Sequence, residues 1–160
     1  MRRALVALVV ASSAAAGLAW ATQGSGTSST LIGRATFADP FKVKRVAPGG
    51  DWEVEVEATS GLDVAVQTIV FQPGGHSGWH SHPGPVFISV VEGTMTFYEA
   101  NDPSCTPVVR TAGQGFLDSG DHAHIARNES GLPARNVVTY FAPPSAALRI
   151  DQPNPGNCDF

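Results

Sequence analysis

The chain carries five histidines, His76, His80, His82, His122 and His124, and four of them form two His-x-His pairs. Side chains two residues apart on an extended strand project from the same face, so His80 and His82 present their imidazoles together. His122 and His124 repeat the arrangement on a later segment. Neutral imidazole is a ligand for first-row transition metals, and one strand cannot wrap around an ion, so the ligands must converge from different strands. A lone histidine at a strand end is ordinarily a satisfied polar residue; two pairs in a chain with one further histidine point instead to a metal site. The expected ligands are His80, His82 and His124, holding one divalent transition metal of the Fe, Zn, Mn, Cu or Ni kind. His122 is either a fourth ligand or a hydrogen-bond partner of whatever the metal binds. His76, in the glycine-rich stretch before the first pair, is expected to be a loop residue.

The elements that must position these residues are strands. From Leu31 onward short β-branched and aromatic runs alternate with Gly, Pro and Asp, and no window keeps apolar residues at three-four spacing for three helical turns. Trp52 to Ala58 alternates strictly, which predicts a half-buried strand with Glu53, Glu55 and Glu57 on a solvated face. Val64 to Gln72 reads as a second strand. Val86–Val91 and Thr94–Glu99 flank Glu92-Gly93 and predict a hairpin. Further strands are expected at Thr106–Arg110, Gly115–Leu117, His122–Arg127 and Asn136–Phe141, with an irregular tail from Pro143 to Phe160. The fold class is therefore all-β, a sandwich or small barrel. Trp79, beside the first ligand, is expected at the mouth of a pocket, and Phe97 and Phe116 in the core.

Met1-Arg2-Arg3 followed by the apolar run Ala4–Leu18 and the small residues Ala19 and Ala21 reads as a secretory signal peptide over residues 1–21, cut after Ala21. The rival reading is an uncleaved N-terminal anchor, against which Ser12, Ser13 and Gly17 interrupt the run. Residues 22–30 are Gly/Ser/Thr-rich and read as a flexible linker, leaving residues 31–160 as one domain. The chain has 160 residues with 10 Lys+Arg and 14 Asp+Glu; removing Arg2 and Arg3 leaves 8 against 14, a net charge of −6. That acidity argues against nucleic acid and anionic membrane as partners. An exported protein meets an oxidising compartment, so Cys105 and Cys158 are expected to form a disulfide that ties the tail to a loop, worth roughly 3–4 kcal/mol. The other reading of the two cysteines is a pair of unpaired buried thiols.

Gly74, His80, His82 and Gly93 resemble the first motif of the cupin superfamily, G-x5-H-x-H-x3-4-E-x6-G. Gly113, His124 and Asn128 resemble its second, G-x5-P-x-G-x2-H-x3-N. The chain is similar in particular to small exported bacterial single-domain cupins of the type-2 kind. The resemblance implies a single-domain jelly-roll β-barrel, a metal on His80, His82 and His124, and a fold that in its relatives often forms a homodimer. Three departures stand out. Val86 occupies the place of the family's metal-binding glutamate, and Ser119 and Asp121 replace a proline and a glycine. A centre of three neutral imidazoles leaves the dipositive charge uncompensated, which favours anionic or enolate ligands. Three-histidine members of the family include dioxygenases, so the resemblance implies a metal-dependent oxygenase acting on a small anionic or enolisable substrate. The alternative is a non-catalytic barrel that binds a small molecule or a metal, with Trp79 and Val86 among its pocket residues. For the catalytic reading, His122, Tyr98, Tyr140 and Asp121 are the acid/base candidates.

Overall fold

The computed structural model describes residues 21–160. The expected signal peptide lies outside them, apart from Ala21. Twelve strands and no helix are present among the described residues. They begin with β1 (Ser25–Phe37), β2 (Phe41–Val46), β3 (Glu53–Ala58) and β4 (Leu62–His76). The middle of the chain forms β5 (His80–Ser81), β6 (Val86–Glu92), β7 (Thr94–Glu99) and β8 (Val108–Thr111). Then follow β9 (Gly115–Asp118), β10 (His124–Arg127), β11 (Ala134–Ala142) and β12 (Ile150–Asp151). Ten strands join one antiparallel sheet, ordered β12-β5-β10-β4-β11-β6-β9, with β1 added to β4 and β7 joining β10 to β8. This sheet curls into the nearly closed jelly-roll barrel that the sequence resemblance implies.

Alternation drives the closure. In β6 Val86, Ile88 and Val90 are buried while Phe87, Ser89 and Val91 face outward, and β11 keeps the same two-residue period along its whole length. The inward residues meet Phe71, Met95, Phe97 and Val138 in the main core. Phe97 and Phe116 stack there with ring centroids 4.3 Å apart, as expected for core residues. A smaller apolar cluster of Trp79, Tyr98, Ile125 and Cys158 lies beneath the C-terminal tail. The Cys105–Cys158 disulfide closes it, with Cα atoms 5.3 Å apart.

Four expectations are corrected. Ser25–Thr30, read as linker, is the first half of β1, paired with β4 from Ser25↔His76 to Thr30↔Thr68. The backbone of β4 needs partners along that edge, and β1 is exposed along its length, so its sequence shows no apolar period. Second, β6 and β7 do not pair, although only Gly93 separates them. The turn sends β6 to β11 and β9, and β7 to β10 and β8, on opposite walls of the barrel. Third, β3 forms with β2 a two-stranded hairpin outside the main sheet, so Trp52, Val54 and Val56 stay exposed. Its charged face is solvated as expected, with Lys42 bridging Glu55 and Glu57, and Lys44 bridging Glu53. Fourth, Trp79 is 2 % exposed and belongs to the smaller core, not to a pocket mouth. Along β5 and its lead-in, neighbours point to opposite faces, so a His80 turned into the barrel turns Trp79 away from it.

Candidate metal centre

Three strands and two backbone carbonyls build the centre. His80 opens β5 and pairs with His124, which opens β10; His82 follows one residue after β5. All three side chains are buried, and one ring nitrogen from each lies within 4.8 Å of the others. The ring centroids are 4.8 Å apart for His80 and His82, 4.5 Å for His80 and His124, and 5.3 Å for His82 and His124. Nδ1 of His80 donates to the Gly78 carbonyl at 2.9 Å, and Nδ1 of His82 to the Leu148 carbonyl at 2.6 Å. A carbonyl can only accept, so both rings carry their proton on Nδ1 and offer an unprotonated Nε2, the state a metal needs.

Burial lowers the pKa of His80 to about 2, helped by the charges of His124 and Arg149. Burial also lowers His82, to about 4, against the opposing pull of the Leu148 carbonyl. Both imidazoles are therefore neutral at neutral pH. Asp118, 1 % exposed at the end of β9, reaches into the same place. Its Oδ2 lies 2.7 Å from Nδ1 of His124 and 3.6 Å from Nε2 of His82. Its Oδ1 accepts the Gly120 N–H at 2.8 Å. Burial pushes the Asp118 carboxyl up, but the His124 ring, the Gly120 N–H and His82 outweigh it and hold the pKa below the usual carboxylate value. Despite its short approach to Asp118, Nδ1 of His124 makes no hydrogen bond, and neither does Oδ2 of Asp118. Buried polar atoms without partners are rare and call for an unseen one. An ion is such a partner, and the three buried imidazoles that converge here form a donor set that fits a divalent transition metal.

A cavity of about 700 Å3 opens beside His80 and His82, walled by Ile69, Phe71 and Tyr140 and rimmed by Arg149. The Tyr140 hydroxyl donates to Gln67 at 2.9 Å, and burial pushes its pKa up to about 12. The other sequence candidates fall elsewhere. His122 is outside the cluster, both ring nitrogens being taken by Glu99 and by Asp121. Tyr98 donates to Glu129 at 3.0 Å. His76 ends β4 and accepts the Gly78 N–H at 3.2 Å. Val86 lies in the main core, 1 % exposed, and does not line the cavity. Sequence reasoning missed Asp118 and Leu148. Asp118 is an acidic residue at the inward end of an apolar strand, a readable signal; Leu148 acts through its carbonyl, which no side-chain pattern reveals.

Residues 67–140 match the family described as the cupin domain. The polyketide cyclase RemF from Streptomyces resistomycificus has a similar fold, with a TM-score of 0.54 at 13 % identity, covering 94 % of this chain and 90 % of that one. An uncharacterized conserved protein with a double-stranded beta-helix domain from Klebsiella pneumoniae aligns at a TM-score of 0.47 and 21 % identity, over 56 % of this chain and 75 % of that one. An oxalate oxidase in complex with glycolate aligns at 0.41 and 26 % identity, over 49 % and 41 % of the two chains. No curated protein matches the sequence significantly.

Proposed function

We propose that this chain, a member of the cupin superfamily through its domain at residues 67–140, is an exported protein that holds one divalent transition metal on His80, His82 and His124 and acts as a metal-dependent oxygenase on a small anionic or enolisable substrate. The observation that carries the metal reading is the pair of carbonyls, Gly78 and Leu148, that fix His80 and His82 in the tautomer leaving Nε2 free. When bound, the metal supplies a Lewis acid and a template for O2 and substrate. The protein's share is placement. Arg149 gives the cavity rim a positive charge that draws an anionic group inward, and Ile69 and Phe71 provide the apolar wall against which a small carbon skeleton packs. The disulfide supports export, because such bonds persist in oxidising compartments.

A specific observation favours the second reading, a non-catalytic binding barrel. Tyr140 holds its proton and His122 is bound by carboxylates outside the cavity, so neither is a free base beside the metal. The catalytic reading therefore requires a substrate that arrives already ionised or ionises on the metal. The test is elemental analysis of exported protein beside His80→Ala and His124→Ala, followed by oxygen uptake with diketones and catechols. The expected result is one equivalent of redox metal, lost in both variants, with oxygen consumption by the wild type. Metal without oxygen uptake supports the binding barrel, and wild-type protein that takes up no metal overturns both readings.

A further inference from the structure

We infer that Asp118 is a fourth, anionic ligand of the centre, its carboxylate replacing across the sheet the one that the first motif lacks. This rests on the metal reading above. Val86 occupies the place where that motif's glutamate is expected, and it leaves the position apolar. Asp118 is the residue directly opposite Val86 in the β6–β9 ladder. Facing residues of antiparallel strands project from the same side of the sheet, and here both project inward, each 1 % exposed. A carboxylate on β9 therefore enters the barrel beside the point where one on β6 would have entered.

The local geometry agrees. Gly120 holds Oδ1 at 2.8 Å, which leaves Oδ2 as the oxygen directed at the histidines. Oδ2 lies 2.7 Å from Nδ1 of His124 and 3.6 Å from the free Nε2 of His82. Donors sharing one ion at bond lengths of about 2.1 Å stand about 3 Å apart at right angles and about 3.4 Å apart tetrahedrally. Both separations fall in that neighbourhood. The unpaired state of Oδ2 and Nδ1 is the more telling sign. An Asp that merely oriented His124 would accept a linear hydrogen bond from its ring, as backbone carbonyls do from His80 and His82. At 2.7 Å the two atoms are close enough for a hydrogen bond, yet neither makes one, as for two donors that share a third atom.

With Asp118 as ligand, the centre carries a net charge of +1 in place of the +2 expected from three imidazoles alone. Four protein ligands leave two positions of an octahedral ion open, which suits one bidentate oxygen ligand. Zinc titration of the wild type and of Asp118→Asn tests this, together with infrared difference spectra of protein labelled with 13C-carboxyl aspartate. The expected result is a zinc-induced shift of one aspartate carboxylate band in the wild type, absent from Asp118→Asn, and a Kd for zinc raised by more than about 100-fold in the variant, beyond the roughly 10–100-fold that loss of a residue merely orienting His124 costs. Zinc binding by the wild type with no carboxylate shift overturns this inference while leaving the metal reading standing. Wild type that binds no zinc or other divalent metal overturns both. Because the infrared shift is read on the wild type, the test holds even if the variant fails to fold.

Discussion

At the scale of single residues, neutrality of His80 and His82 is obtained by burying them, and burial has a consequence for stability. His82 titrates at about 4 in the folded protein against an ordinary 6.5, so between those values the unfolded chain binds a proton that the folded one refuses. Stability of the metal-free protein therefore falls as pH drops from 6.5 toward 4. The His82 share is on the order of 3 kcal/mol, and His80, lowered further, adds to it. Metal-free His82→Gln should lose part of this dependence, giving a shallower fall of melting temperature between pH 6.5 and 5 by calorimetry; parallel profiles would show that the ring is not held neutral by burial. The meeting of the three histidines was legible in the sequence, because strand spacing puts His80 and His82 on one face and the resemblance to the second motif picks out His124. Asp118 carried a signal, an acidic residue closing an apolar strand, but its place beside the histidines depends on the pairing with Val86, which the sequence does not reveal. Trp79 misled for a related reason: adjacency to a ligand suggests a pocket, whereas alternation along the strand points the two side chains apart.

At the scale of elements, most strands could be read from alternation, but their partners could not. Period-2 patterns in β6 and β11 fix which residues face inward, β7 is buried on both faces, and the turn at Gly93 can be read either as a hairpin or as a crossing between walls. The structure takes the crossing, and Gly93 sits where an added Cβ would lie 2.7 Å from the Pro133 carbonyl oxygen. The loop between β9 and β10 carries the same kind of information. Sequence comparison with the second motif places a lost glycine at Asp121, but Gly120 supplies the left-handed conformation, with φ of 86°. A Cβ there would meet the Gly84 carbonyl oxygen at 2.5 Å and that of His82 at 3.1 Å. Gly120 also donates the N–H that fixes Asp118. Gly120→Ala should therefore disturb the segments bearing His82 and Asp118 together, weakening zinc affinity by about 10-fold or more in titrations. Gly113→Ala has a positive φ, 88°, but no atom within 4 Å of its Cβ, so it serves as the control. It should show the backbone strain alone, with affinity close to wild type.

At the scale of the whole molecule, the two ends of the described chain meet behind β5. The Thr22 hydroxyl accepts the Trp79 N–H at 2.6 Å, and the Thr22 N–H donates to Gln152 at 3.0 Å. The tail adds β12 to β5, pairing Ile150 with Ser81 and Asp151 with His80, and its Leu148 carbonyl orients His82. Two of the three histidines thus depend on a segment with little strand signal of its own. The disulfide closes a separation of 53 residues, for which the chain-entropy argument gives about 4 kcal/mol. The bridge lies beyond the segment that touches His80 and His82, however, and Gln152 is already tied to Trp79, Thr22 and Ser81. Stability and metal binding should therefore separate in the double variant Cys105→Ser/Cys158→Ser. Urea denaturation should show a loss of about 4 kcal/mol, while zinc affinity of the folded variant stays within about twofold of wild type. A parallel collapse of affinity would mean that the bridge, and not the β5–β12 pairing, holds His80 and His82 in place.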